Sequence, residues 1–209
     1  MRISGWKSWC IMVGAIGGIA VFLSASAAPP KLARGQAAAQ EIVLSLDPAQ
    51  TKVHYTVETT LHTVHGTFAL KSGAVHLDPE SGKASGEVIV FATSGDSGNS
   101  SRDARMHKEI LETGKYPDAI FRPTQAEGTV ARSGNSDVKL QGVFSIRGGE
   151  HAITVPVHAE LNGDHWKGTA KFEIPYIQWG IKDPSNWFLK VKPTVEVELE
   201  MYGSVKSGN

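Results

Sequence analysis

The chain has 209 residues, with 21 basic side chains against 21 acidic ones and a single cysteine. That balance, with no basic run and no basic-aromatic patch, argues against nucleic acid as a partner. The cysteine, Cys10, lies in the first segment, so whatever folds downstream has neither a disulfide nor thiol chemistry.

Arg2 and Lys7 form a basic leader, Trp9 to Leu23 is an uncharged and mostly apolar run, and Ala25-Ser26-Ala27 offers a small-residue cleavage site. The pattern predicts an export signal over residues 1–27, and hence a periplasmic or secreted protein. The run is too short for a membrane anchor, which needs about 20 apolar residues. Residues 28–40, APPKLARGQAAAQ, are small and polar and read as a flexible leader. Residues 41–205 remain for one domain. Without Arg2 and Lys7 the balance is 19 basic to 21 acidic residues, about −2.

From there the chain alternates like strand. Val53, Tyr55 and Val57 alternate with Lys52, His54, Thr56 and Glu58. Leu140, Phe144 and Ile146 alternate with Lys139, Gln141 and Arg147, and the same period runs through Ile153, Val155 and Val157 and through Ala170, Phe172 and Ile174. It is clearest at the end, where Val195, Val197, Leu199 and Met201 face away from Glu196, Glu198 and Glu200. Breaks at residues 78–82, 132–135, 148–149 and 162–164 fall at hairpin spacing. One helix interrupts the pattern. Ser100 with Asp103 reads as its capping box, Met106, Ile110 and Leu111 share one side, and Gly114 supplies the left-handed residue that ends it.

Strands in succession with tight turns make an antiparallel meander, and such a sheet removes its edges by closing. The predicted fold is therefore all-β with one short helix, an antiparallel barrel of about eight strands. Its inward positions mix small residues (Gly86, Ala92, Ala119, Gly142 and Ala170) with large ones (Phe68, Phe121, Phe144 and Phe172), which suits either a solid core or a channel lined with hydrocarbon.

Catalytic and metal readings find little support. The eight histidines include no HExxH pair, and His62 and His65 are three apart where a strand sends them to opposite faces. There is no GxSxG elbow, and the serines at residues 97–101 read as a turn entering the helix. No metal, cofactor or catalytic residue is expected. An interaction module working through its surface is the remaining alternative.

Several segments carry a resemblance. Gly98–Met106 (GNSSRDARM), followed by Tyr116-Pro117 and Phe121, is similar to the signature helix and strand of the YceI-like family. Leu46–Ala49, Val64–Phe68, Leu140–Gly148, Phe172–Ile174 and Trp179–Ile181 resemble its other segments in order, so the likeness spans roughly residues 44 to 203. The chain departs from the family's pattern at Pro175-Tyr176, where many members have a polar residue and arginine, at Trp179 for phenylalanine, and at Glu150 for threonine.

The resemblance implies an exported, lipocalin-like barrel whose elongated interior holds a polyisoprenoid or similar lipid without catalysis, as a carrier or store or within a stress response. On that reading strand parity assigns the tunnel wall to Val53, Tyr55, Val57, Phe68, Val88, Val90, Phe121, Leu140, Phe144, Val155, Val157, Phe172, Ile174, Val195, Val197 and Leu199. Arg102, Trp179 and Trp187 are candidates for the mouth, Arg102 also being a candidate brace for the helix. The stretch from Trp179 to Phe188 reads as either a lid or a mouth that greets a membrane. The expected partner is an isoprenoid or long-chain lipid; transient membrane contact and a dimer are both open.

Overall fold

The computed structural model describes residues 41–207, so the predicted signal peptide and leader lie outside the described residues. The strands are β1 (Ile42–Leu46), β2 (Lys52–Glu58), β3 (Thr63–Leu77), β4 (Ala84–Asp96), β5 (Asp118–Gly128), β6 (Gly134–Ile146), β7 (Gly149–Asn162), β8 (His165–Ile174) and β9 (Val195–Ser207). Between β4 and β5 stand a short α-helix, α1 (Ser100–Arg105), and a π-helical turn (Met106–Ile110).

Every pairing is antiparallel, and from β2 onward each strand neighbours the next. The sheet closes because β9 returns to β2, Val53 lying opposite Leu199 and Tyr55 opposite Val197. β1 and β2 both lie between β3 and β9, one after the other. β1 pairs with residues 74–77 and 203–207, and β2 with residues 63–68 and 196–200. They share one strand position, so nine strands make an eight-stranded barrel. The break between them is a turn in which the Asp47 carbonyl accepts from Thr51 N (2.9 Å) and the Asp47 carboxylate accepts from Ala49 N (2.8 Å).

Alternation fixes which face is inside. Ile42, Leu44 and Leu46 are buried on β1, Val53 and Tyr55 on β2, and the side chains between them are more exposed. On β9 the outward carboxylates are laced to neighbouring strands. Lys171 meets Glu196 at 2.8 Å and Glu198 at 2.6 Å, and Lys52 meets Glu200 at 3.4 Å. Bulges bend the sheet where it must curve into a barrel. β3 slips against β4 between residues 67 and 69 and between 70 and 72, and β5 slips against β6 between residues 123 and 125. Across the slip between residues 70 and 72 of β3 the inward set changes from even to odd positions, Phe68 and Leu70 before and Val75 and Leu77 after.

The two ends of the barrel differ. One is filled by Ile42, Leu77, Ala84, Leu161 and Trp166, all 5% exposed or less, with Val130 of the β5–β6 loop packed on them. Trp166 donates its indole N–H to Ser45 O at 3.1 Å. At the other end a smaller cluster, Ile174, Tyr176 and Ile181, packs with Ile110, Phe144, Ile146 and Trp179. No described helix is long and apolar enough to cross a membrane.

The helix starts and stops differently from the sequence reading. Its cap is Asn99, whose side-chain oxygen accepts from Arg102 N at 3.0 Å. Asp103, expected to complete a capping box with Ser100, instead accepts from the backbone N–H and hydroxyl of Ser97. The left-handed residue after the π-helical turn is Glu112 (φ 50), not Gly114. Arg147 reaches over to pair with Glu112 and donates to Gly180 O at 3.2 Å, so this turn is tied to two loops. The β6–β7 hairpin turns on Arg147 and Gly148, both at positive φ, one position before the expected glycine pair.

Candidate functional site

A cavity of about 530 Å³ runs through the barrel interior. That is within the usual range for a buried small-molecule site, about 300–1,000 Å³. It extends from Ile42, Leu77, Leu161 and Trp166 at the filled end to Thr59, His62, Arg102, Arg105, Pro184, Leu189 and Val191 at the other. All sixteen side chains that parity placed inside line it. Phe68 and Phe121 do so because they precede the slips at residues 70–72 of β3 and 123–125 of β5, where the parity is still that of the strand's start.

Of the small inward residues, Ala92, Ala119 and Ala170 line the cavity. Gly86 and Gly142 serve the chain's own approach instead of leaving room. A Cβ at Gly142 would strike the Arg122 carbonyl oxygen and the Phe121 ring, and Gly86 sits at φ 106 against the Ala74 carbonyl. Parity did not yield the lining from the elements at the open end: Met106, Ile110 and Leu111 of the helical segment, and Tyr176, Ile181 and Pro184 of the loop after β8. The helical spacing of Met106, Ile110 and Leu111 was the signal for the first group. Nothing periodic marks the second.

Polar groups on the cavity wall gather mainly at the open end. Arg102 lines the cavity and also braces the helix, donating from Nε to Ser97 Oγ (2.7 Å) and from its terminal nitrogen to Ser97 O (2.8 Å). Tyr55 lies with its ring 5.2 Å from that of Phe68 and its hydroxyl 3.8 Å from Met106 Sδ. Burial pushes the Tyr55 hydroxyl above its ordinary pKa. Tyr176 is buried, lines the cavity, and has a hydroxyl without a hydrogen-bond partner among the described residues. Burial, helped by the Asp183 carboxylate, pushes it up to about 12, so it stays neutral and able to donate.

The two tryptophans named for the mouth do not line the cavity. Trp179 lies behind Phe144, stacked on His151 with ring centroids 4.3 Å apart and planes 1° from parallel. Trp187 is 90% exposed. The stretch from Trp179 to Phe188 is thus divided: Ile181 and Pro184 close over the interior, while Trp187 and Phe188 project away from it. Of the histidines, His62 is at the cavity's open end, whereas His65 faces outward and bonds Thr56 at 3.0 Å. No group of three metal-ligating side chains gathers among the described residues.

A closed up-and-down barrel around an apolar cavity, with a helix beside one end, defines the lipocalin-like class. Residues 44–202 match the YceI-like domain. The chain belongs to the YceI-like family.

Its fold is similar to that of BcnA from Burkholderia cenocepacia, at 18% identity and a TM-score of 0.61, covering 76% of this chain and 99% of that one. It is also similar to a polyisoprenoid binding domain from Saccharophagus degradans implicated in plant cell wall breakdown, at 16% identity and a TM-score of 0.59, over 77% and 98% of the two chains. The Campylobacter jejuni YCEI protein matches at 17% identity and a TM-score of 0.50, over 63% and 79%. No curated protein sequence matches.

Proposed function

We infer that this is an exported, non-catalytic binding protein that holds a polyisoprenoid or a similar long-chain amphiphile in its barrel, as a carrier or a store. One observation carries the reading: the cavity runs the length of the barrel and is walled by hydrocarbon, with Arg102, Arg105, His62 and Tyr176 near one end. A long apolar chain gains about 0.8 kcal/mol for each buried CH₂, so such a wall retains a lipid tail by burial alone. The polar end gives a head group somewhere to rest. The polyisoprenoid-binding domain of similar fold supports the choice of ligand class. Residues 1–27 supply the route out of the cytoplasm as a cleaved signal, and transient contact with a membrane gives a water-insoluble ligand its way in.

The test is to recover the protein from its native host, extract it with organic solvent, and weigh what is released by mass spectrometry. Phe144 lines the cavity beside the cluster at its open end, so Phe144→Asp places a charge where the tail would pass. The expected result is a several-fold loss of extracted lipid with most of the protein still folded. Equal lipid from variant and parent would refute an interior site. N-terminal sequencing of the same sample, beginning after Ala27 or Ala28, checks export.

A further inference from the structure

The three most exposed large apolar side chains of the described residues all lie on loops at the open end: Leu61 at 73%, Phe188 at 85% and Trp187 at 90%. They belong to two loops, β2–β3 and β8–β9, that are bonded to each other. Thr60 N donates to Lys190 O at 3.0 Å, Lys190 N donates to Thr60 Oγ1 at 3.3 Å, and Thr59 bridges to Val191. The tip that carries Trp187 and Phe188 is built, not loose. Asn186 Oδ1 accepts from Phe188 N (2.9 Å) and Leu189 N (2.8 Å), Asn186 N donates to Leu189 O (2.9 Å), and Ser185 Oγ accepts from Val191 N (3.0 Å). Two large rings are therefore held out in water by a hydrogen-bonded turn.

These loops also supply Thr59, His62, Pro184, Leu189 and Val191 to the cavity's open end. Within residues 179–192 the cations Lys182, Lys190 and Lys192 face a single acid, Asp183. Lys182 is paired with Glu109, and Lys192 with Glu58 and Glu173, while Lys190 has no ion pair among the described residues. Tryptophan and phenylalanine beside lysine is the side-chain set of the bilayer interface, where rings sit at head-group depth and cations meet lipid phosphate.

We propose that Leu61, Trp187 and Phe188, with Lys190 beside them, form a docking surface for an anionic phospholipid bilayer and set the cavity's open end against it. The proposal rests on the lipid-binding reading only for the reason a mouth would be so placed; the surface itself stands on exposure, loop bonding and charge. Apolar contact supplies most of the attachment and one free lysine only a part, so binding is weak, reversible and moderately salt-sensitive.

The test uses protein in the form its native host produces, mixed with sedimentable vesicles of phosphatidylglycerol and phosphatidylcholine, and with phosphatidylcholine vesicles alone. The parent should sediment with the mixed vesicles, with a blue shift of tryptophan emission, and less with the neutral ones. Trp187→Ser with Phe188→Ser should reduce bound protein about ten-fold, and Leu61→Ser should reduce it further. Because all three side chains are exposed, thermal unfolding of the variants should match the parent. Organic extracts of the same variants separate the two readings. Variants that retain lipid inside but lose vesicle binding support docking, and a parent that binds vesicles but yields no interior lipid, with binding lost in the variants, supports docking while refuting the carrier. Equal sedimentation of parent and variants overturns the proposal. So does a parent dimer that ignores vesicles and is dissociated by Trp187→Ser with Phe188→Ser, since the patch would then be a subunit interface.

Discussion

Tyr176 is a residue with a cost built in. A buried hydroxyl without a partner loses hydration worth about 1–3 kcal/mol and regains nothing in the lipid-free protein. Tyr176→Phe should therefore leave delipidated protein as stable as the parent or more so, measured by thermal unfolding. The same residue reports on alkaline pH. Its folded pKa, pushed up to about 12, lies above the ordinary tyrosine value of 10.0, so the folded state holds the proton more tightly. That contribution is fully present below pH 10 and is lost as pH rises through about 12. Alkaline unfolding followed by tyrosinate absorbance should shift to higher pH in Tyr176→Phe, and an unchanged midpoint would show that the hydroxyl is not buried as described. Gly142 gives the opposite case. Gly142→Ala sets a methyl against the Arg122 carbonyl and the Phe121 ring and should cost about 1–3 kcal/mol, read as a lower unfolding midpoint. Neither outcome was legible in the sequence, because both depend on a neighbour from another strand or loop.

Among the elements, α1 is only six residues long and buries no side chain of its own, so its stability comes from its ends. Asn99→Ala removes the cap and should cost about 0.5–2 kcal/mol. Met106, Ile110 and Leu111 follow α1 directly and wall the cavity's open end. Loosening the cap should therefore speed release of a bound fluorescent lipid more than it lowers the unfolding midpoint, and equal release rates would separate the helix from the gate. Sequence placed this helix correctly but missed its cap by one residue, since Asn99 and Ser100 are both good caps and only the backbone turn decides. Strand parity gave the inward direction of the wall residues for a different reason. Each wall residue was judged against close neighbours, and the single assignments on β3 and β5, Phe68 and Phe121, precede the slips at residues 70–72 and 123–125. The shared position of β1 and β2 was out of reach, because nothing local in Asp47–Thr51 says that the chain resumes the same line.

For the whole molecule, closure was legible because an antiparallel meander of this length has few other ways to hide its edges. Which end stays open was not. That depends on Trp166, Leu161 and Val130 filling one end while the helix, the β2–β3 loop and the loop after β8 surround the other. The filled end has a consequence in time. A corridor with one door admits its occupant tail first and must return it head first, so a second molecule cannot push the first one through. Turnover is then a queue of one. In solution, the exit rate of a loaded amphiphile should not change with the concentration of a competitor, and only a change at the doorway itself should hurry it.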